Sequence, residues 1–432
     1  MLSCKKEQTN SSSISTAQRP TSESGNIGIN VVLKTSITTA ILDQLRTYGN
    51  VGKVFNEIKA VTMLIPTQNL NAIKKLTYVS FAGPDAERKG APIDAVSVAD
   101  FSGGISTWDN DAINVTDFGA GRTIAQDGTG VYVGVLDSGL PDSWRSYFPQ
   151  ERIATQYAKA FNGGGGDNGN VSEPTNKWEH DQNSHGGHVT STIIGYQLGT
   201  TYINGVAPKA TVIPVKVLNQ TGSGWSSVIA EGILYMASLK AGALSNSPVV
   251  INMSLGGSQL DGIEKAAIDY AISKGIIIVA SAGNNGAAGM GYPGAYQPVI
   301  SVAAAGWKSE FKVPTWWYSL DVPEQTKTDE YYIADFSAVR KTGQDLDVTA
   351  PGANIVGPYQ VNSGQLAYYY LSGTSMSSPH VAGIVALMAQ KKPSLTAAQA
   401  ETKLESAAVS MAEGADLSGS GFITATAALK GL

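Results

Sequence analysis

The sequence predicts an α/β fold, a mainly parallel sheet with helices on both faces, preceded by a small α+β domain. Three observations carry this expectation. From about Trp108 onward, short unbroken apolar runs (Val131–Leu136, Thr211–Val217, Val249–Met253, Ile276–Ala280, Val299–Ala303) alternate with helical stretches such as Trp225–Leu239 and Gly262–Lys274. Continuous apolar strands separated by helices belong to a parallel sheet covered on both sides. Residues 27–83 carry a separate pattern of short strands and helices. Finally, 42% of the 432 residues are apolar and only 15% charged, against about 25% charged in typical domains, which excludes disorder of the whole chain.

Taken in order, residues 1–26 open on Met1-Leu2-Ser3-Cys4-Lys5-Lys6 and continue as a polar linker from Gln8 to Gly25 without periodicity. Ile29–Leu33 reads as a strand and Thr39–Tyr48 as a helix with Ile41, Leu42 and Leu45 on one side. Val51–Phe55 and Val61–Ile65 read as strands, Leu70–Leu76 as a short helix and Tyr78–Phe81 as a closing strand. That order, β-α-β-β-α-β, is the split βαβ of a ferredoxin-like domain, small enough to be marginally stable alone. Residues 84–107 mix charge, Pro and Gly as an exposed connector. The α/β domain covers 108–432 and includes an aromatic-rich stretch at 307–332.

Composition removes several function classes. The net charge of −5 offers no basic field for nucleic acid. A single cysteine rules out an internal disulfide framework and a thiolate zinc cluster. No apolar run approaches the roughly 20 residues that span a bilayer. Imidazole chemistry is confined to His180, His185, His188 and His380.

Three segments bear chemistry. Val133-Gly134-Val135-Leu136-Asp137-Ser138-Gly139 sets a carboxylate at the C-terminal end of a buried strand, where open α/β sheets bind ligands; alone, Asp137 would read as a turn or capping residue. His185-Gly186-Gly187-His188-Val189 pairs an imidazole with glycines that admit close backbone packing. Two histidines at this spacing could ligate a metal, but neither HExxH nor a cysteine or carboxylate cluster completes a site. Ser372-Gly373-Thr374-Ser375-Met376-Ser377-Ser378-Pro379-His380 leads into an apolar helix, where Ser375 alone would read as an N-cap. Asp, His and Ser in this chain order form the constellation for acyl transfer.

At these residues the sequence resembles the subtilisin-like serine proteases, the subtilases. The stretches around Asp137, His185 and Ser375 are near-complete versions of the family's three signatures. Gly205–Pro208, Val215–Leu218, Asn252–Gly257 and Ala282–Gly286 match between them, in order. The resemblance implies that Ser375 is the nucleophile, His185 the general base, Asp137 its orienting carboxylate and Asn284 an oxyanion-hole donor. It also implies peptide-binding rails at Gly222, Ser223, Gly224 and Trp225 and at Ser254, Leu255 and Gly256, pairing with an extended substrate. Gly283 and Met290–Gly294 would line the primary specificity pocket, with Gly291 at its floor. No acid lies there, so little preference for Lys or Arg is expected. His188 and His380 fall at structural positions of the family, and His180 matches nothing. Gly187 stands where threonine is usual.

The small domain resembles the family's inhibitory propeptide, cut within Ala82–Thr107; a permanent accessory domain is the alternative. The chain start resembles the end of a bacterial lipoprotein signal, with Cys4 lipidated, although the apolar region that should precede it is missing. The expectation is an exported enzyme of the bacterial cell envelope, periplasmic or surface lipoprotein, or secreted. It would act as a monomer on protein or peptide substrates, inhibited by its own propeptide, bind no nucleic acid and carry a lipid anchor to the membrane. Catalysis requires no cofactor; structural calcium is expected in family loops, and Gly163–Asn168 lacks the carboxylates of a recognisable site. The aromatics Trp307, Phe311, Trp316, Trp317, Tyr318, Tyr331 and Tyr332 form a cluster over the sheet edge or a substrate platform. Rival readings are a catalytically silent peptide-binding module and an esterase, the latter lacking a GxSxG elbow at Ser375.

Overall fold

The computed structural model describes residues 25–432 except 91, 93, 98–105, 118–120, 165–168, 324–327 and 361–366. Cys4, the polar linker, much of the connector and most of the Gly163–Asn168 loop therefore lie outside the described residues.

The N-terminal unit runs β1 (Asn26–Leu33), α1 (Thr39–Arg46), β2 (Asn50–Phe55), β3 (Ala60–Pro66), α2 (Leu70–Lys74) and β4 (Val79–Pro84). Its strands form one antiparallel sheet in the order β2-β3-β1-β4. Thr38 caps α1 by accepting from the Ile41 amide. The period-two positions Ile29, Val31 and Leu33 and Val61, Met63 and Ile65 are buried with Leu45 and Ile73 of the helices. The opposite sheet face is not left to water: Asn30 and Thr62 are also buried, because this face docks on the main domain.

In that domain an eight-stranded sheet holds β7 (Tyr132–Asp137), β8 (Lys159–Ala160), β9 (Thr211–Lys216), β11 (Val249–Met253), β12 (Ile277–Ser281), β13 (Ile300–Trp307), β14 (Tyr331–Ile333) and β15 (Val348–Pro351). Only the β13–β14 pairing is antiparallel. Among the short strands outside this sheet are β5 (Glu87–Lys89), β6 (Asp94–Ser97), β10 (Ser223–Trp225), β16 (Ile355–Pro358) and β17 (Tyr368–Ser372).

Each apolar run divides its side chains between two cores. Val133, Val135, Val250, Ile277 and Val279 face α3 (His185–Ile194) and α6 (Thr374–Lys391). Leu136, Val249, Ile251, Ile278 and Ala280 face α4 (Ser226–Ala241) and α5 (Gly262–Ser273). This alternation within unbroken apolar runs is why they read as doubly covered strands.

The 307–332 stretch packs over the sheet edge. Trp307, Trp316, Trp317 and Tyr331 are buried, Trp307 stacks on Trp108 at 6.4 Å and Trp316 on Tyr370 at 5.6 Å between ring centroids. Of the large aromatics there, Phe311 is exposed, at 59%. Packed rings of this kind build core over the sheet edge.

The docking of the two units is polar and buried. Asn30 Nδ2 donates to Asp85 Oδ1 (2.9 Å), Ser226 Oγ (3.2 Å) and Asp261 Oδ2 (3.2 Å). Asp85 in turn accepts from the Ser227 amide (3.0 Å) and from the Ser226 and Ser227 hydroxyls (2.7 and 2.5 Å). Asp85 thereby does for the N-terminus of α4 what that helix's own N-cap, Trp225, does not do with its side chain; a carboxylate there meets free N–H groups and the positive end of the helix dipole.

Candidate active site

Asp137 ends β7, at the C-terminal edge of the parallel sheet. Its Oδ1 accepts from the Ser138 amide at 2.6 Å. His185 is the first residue of α3, entered through Ser184 in the left-handed region at φ 65°. Its Nδ1 lies 2.8 and 3.0 Å from the two Asp137 oxygens, and both side chains are fully buried. A carboxylate accepts only, so Nδ1 carries the proton and Nε2 presents a lone pair. That Nε2 is buried and has no hydrogen-bond partner among the described residues.

Ser375 is the second residue of α6, whose N-cap is Gly373. It is therefore not the cap that its local sequence suggests: the glycine turn starts the helix two residues earlier than that reading requires. Its hydroxyl donates to the Ser254 carbonyl at 3.2 Å rather than to His185 Nε2. Asp137 and His185 are thus paired, while the Ser375 hydroxyl is engaged with the Ser254 carbonyl.

Asn284 follows β12. Its Oδ1 accepts from both the Thr374 amide and hydroxyl, each at 2.9 Å. The amide nitrogen is thereby turned toward Gly373, 3.4 Å from where a Cβ on that glycine would stand. A side-chain N–H and the first-turn amides of α6 so border one spot beside Ser375.

The two expected rails are both occupied by the chain itself. β5 pairs antiparallel with β10: Glu87 opposite Trp225, Arg88 opposite Gly224 and Lys89 opposite Ser223. On the other side Lys89 and Gly256 exchange both amide–carbonyl bonds at 3.0 Å. The Gly90 amide donates to the Gly222 carbonyl at 2.9 Å. Leu255 is buried. Gly257 bridges Tyr292 and the Gly291 amide donates to Ala282, so the 290–294 strip runs beside the second rail; the Gly283 amide donates to Thr374 Oγ1 at 3.1 Å. Beyond the cleft, β6 pairs with β17, with Asp94 opposite Ser372.

A buried polar layer underlies the pair. Asp181 accepts from Ser138 Oγ (2.7 Å) and the Ser184 amide (2.8 Å), and Ser138 Oγ accepts from the Gly186 amide (2.9 Å). Lys216 Nζ donates to the Ser138 carbonyl and lies 3.7 Å from Asp181. Burial lowers the Lys216 pKa and raises that of Asp181. Sequence reasoning assigned neither; the signal available was a lysine inside the apolar run 211–217.

The other histidines differ in kind. His188 is buried with Nε2 3.0 Å from the Ile355 carbonyl, and burial pushes its pKa down to about 3. His380 lies between the Met376 carbonyl (2.8 Å) and Asp109 (2.9 Å). His180 is on the surface beside Asp142. Among the described residues, two carboxylate groups could hold a metal ion, Asp111 with Asp117 and Asp321, and Asp345 with Asp347 and Glu401. No helix among them is long and apolar enough to cross a membrane.

A family model described as the subtilase family matches residues 128–422. Subtilisin DY of Bacillus licheniformis is 38% identical over 237 residues, 54% of this chain and 73% of its own length. Subtilisin E of Bacillus subtilis is 35% identical over 285 residues, 65% of this chain and 61% of its own length, so that match spans about three fifths of the relative. Among solved structures, fervidolysin from Fervidobacterium pennivorans shares the fold, with a TM-score of 0.68 at 22% identity over 94% of this chain and 61% of that one.

Proposed function

The chain belongs to the subtilase family of serine proteases, and from that premise we propose that it is a serine endopeptidase produced as a self-inhibited zymogen. The observation that carries the reading is the seating of residues 87–90 as a strand between two rails, against the His185–Asp137 pair. A protein or peptide substrate would add itself to the same rails.

In the proposed reaction the Ser375 hydroxyl rotates from Ser254 toward His185 Nε2, which removes its proton as Oγ attacks the scissile carbonyl. Asp137 holds the proton on Nδ1 and stabilises the imidazolium. The Ser375 amide and the Asn284 side chain receive the developing oxyanion. His185 then protonates the leaving amine, and water repeats the sequence to free the enzyme.

The N-terminal unit would template and block the cleft until it is cut within Ala82–Thr107. Export, with Cys4 as the lipidated residue, completes the reading, and a structural cation would sit at one of the carboxylate groups. The test is casein hydrolysis and labelling by a serine-reactive phosphonate in wild type and Ser375→Ala, with mass spectrometry of the N-terminus. Labelled, shortened wild type beside inert, full-length Ser375→Ala is expected. No labelling of wild type overturns the enzyme reading, and an intact N-terminus in both overturns self-processing.

A further inference from the structure

In a strand that lies across the cleft, Glu87 and Lys89 point to solvent, whereas Arg88 is 0% exposed. Its guanidinium meets Glu264 of α5, also 0% exposed: Nε donates to Oε1 and Oε2 at 3.2 and 3.1 Å, and Nη2 makes a further contact to Oε2. Nη2 also donates to the Gln259 carbonyl at 3.0 Å. Room for the side chain comes from Gly257, where a Cβ would stand 2.7 Å from Arg88 Nη1.

The strand that supplies Arg88 occupies the position a substrate would take, so the receptor left behind when it departs is the enzyme's own. That receptor offers two carboxylate oxygens and a carbonyl, acceptors only, in a recess that a docked strand shuts off from solvent. A carboxylate in such a place costs heavily unless its next occupant brings a positive charge and several donors. The planar fork of a guanidinium matches that geometry better than an ammonium.

We infer, resting on the endopeptidase reading above, that Glu264 selects substrates with arginine at the position Arg88 occupies, two residues before the one that packs on His185. This preference belongs to a different recess from the acid-free strip around Gly291.

The test uses the expressed full chain, matured until its activity on casein is constant. The probes are chromogenic amides of the peptide Glu-Arg-Lys-Gly-Ala, residues 87–91, and the same peptide with leucine or glutamate in place of arginine. Wild type is expected to cleave the arginine probe with kcat/KM about thirty-fold above the leucine probe, about 2 kcal/mol at 1.4 kcal/mol per factor of ten. Glu264→Gln should reduce that ratio below about five. Because this pair also joins the two units, Glu264→Gln alone can fail to mature; the doubly substituted R88L/E264L chain replaces it by an apolar contact and should prefer the leucine probe. A wild-type ratio within about threefold, or a ratio unchanged by these substitutions, overturns the inference while casein cleavage leaves the protease reading standing. Loss of casein cleavage by wild type overturns both.

Discussion

Gly90 packs directly on His185: a Cβ placed on this glycine would stand 3.3 Å from the imidazole Cε1, 2.8 Å from Leu218 Cδ1 and 2.9 Å from the Ser254 carbonyl oxygen. The last of these is backbone and cannot move aside cheaply, so a larger side chain must lift the strand from its rails. In a Ser375→Ala background, where no bond can be cut, Gly90→Val should raise the affinity of the cleft for an added peptide of residues 87–91 at least tenfold. Fluorescence anisotropy of the labelled peptide reads it, and equal affinities with and without the substitution would show that the strand does not compete for the cleft.

Docking of the N-terminal unit should depend on pH through Asp261. Burial, with Asp85 nearby and Glu264 beyond it, raises its pKa to about 6 from 3.8; the Ile263 amide and Ser226 hydroxyl oppose this, and Asn30 and the Arg88–Glu264 pair face the same spot. The docked state therefore holds a proton that the undocked state, with Asp261 returned to water, releases. Docking is strongest below about pH 4, weakens as pH rises from 3.8 to 6 and is level above that. The span is worth up to about a hundredfold in the opening equilibrium. In Ser375→Ala, the protection factors for hydrogen exchange at Ser223–Trp225, after the intrinsic rise of exchange with pH is divided out, should fall across this window, and Asp261→Asn should flatten the response.

The layered sheet was legible because its strands are unbroken apolar runs, and the proposed triad because each member sits in a short stretch whose spacing has few other uses. The split βαβ unit was legible from its periodicity. What the sequence concealed depends on contacts far apart in the chain. Arg88 read as one charge in an exposed connector, since nothing local reveals that Glu264, 176 residues away, buries it. Asp85 looked like a linker residue and caps a helix of the other unit. The orientation of the Ser375 hydroxyl was equally hidden, because it is decided by the Ser254 carbonyl across the cleft.

Lys216 should support catalysis without touching substrate. Its ammonium is held between the Ser138 carbonyl and Asp181, and Ser138 and Asp181 together fix the turn that launches His185. Lys216→Met leaves Asp181 without its cation; breaking such a buried pair costs about 3–5 kcal/mol. A lower melting temperature together with a fall in kcat of about tenfold or more, at little change in KM, is expected on the chromogenic peptide. A variant that loses stability yet keeps kcat would confine Lys216 to a structural role.

Asn284 and Thr374 separate two contributions to the oxyanion site. The Thr374 amide and hydroxyl hold Asn284 Oδ1 and so aim Nδ2, the group proposed to meet the oxyanion. Removing that donor by Asn284→Leu should lower kcat by about 10²–10³, the usual cost of one oxyanion-hole donor, with KM nearly constant. Thr374→Val keeps the donor and the backbone bond but removes the hydroxyl one, so the amide is aimed less firmly and kcat should fall only about three- to tenfold. The double variant then distinguishes aiming from donating. If Thr374 acts through Asn284, adding Thr374→Val to Asn284→Leu costs almost nothing further; full additivity would mean that Thr374 serves the helix start alone.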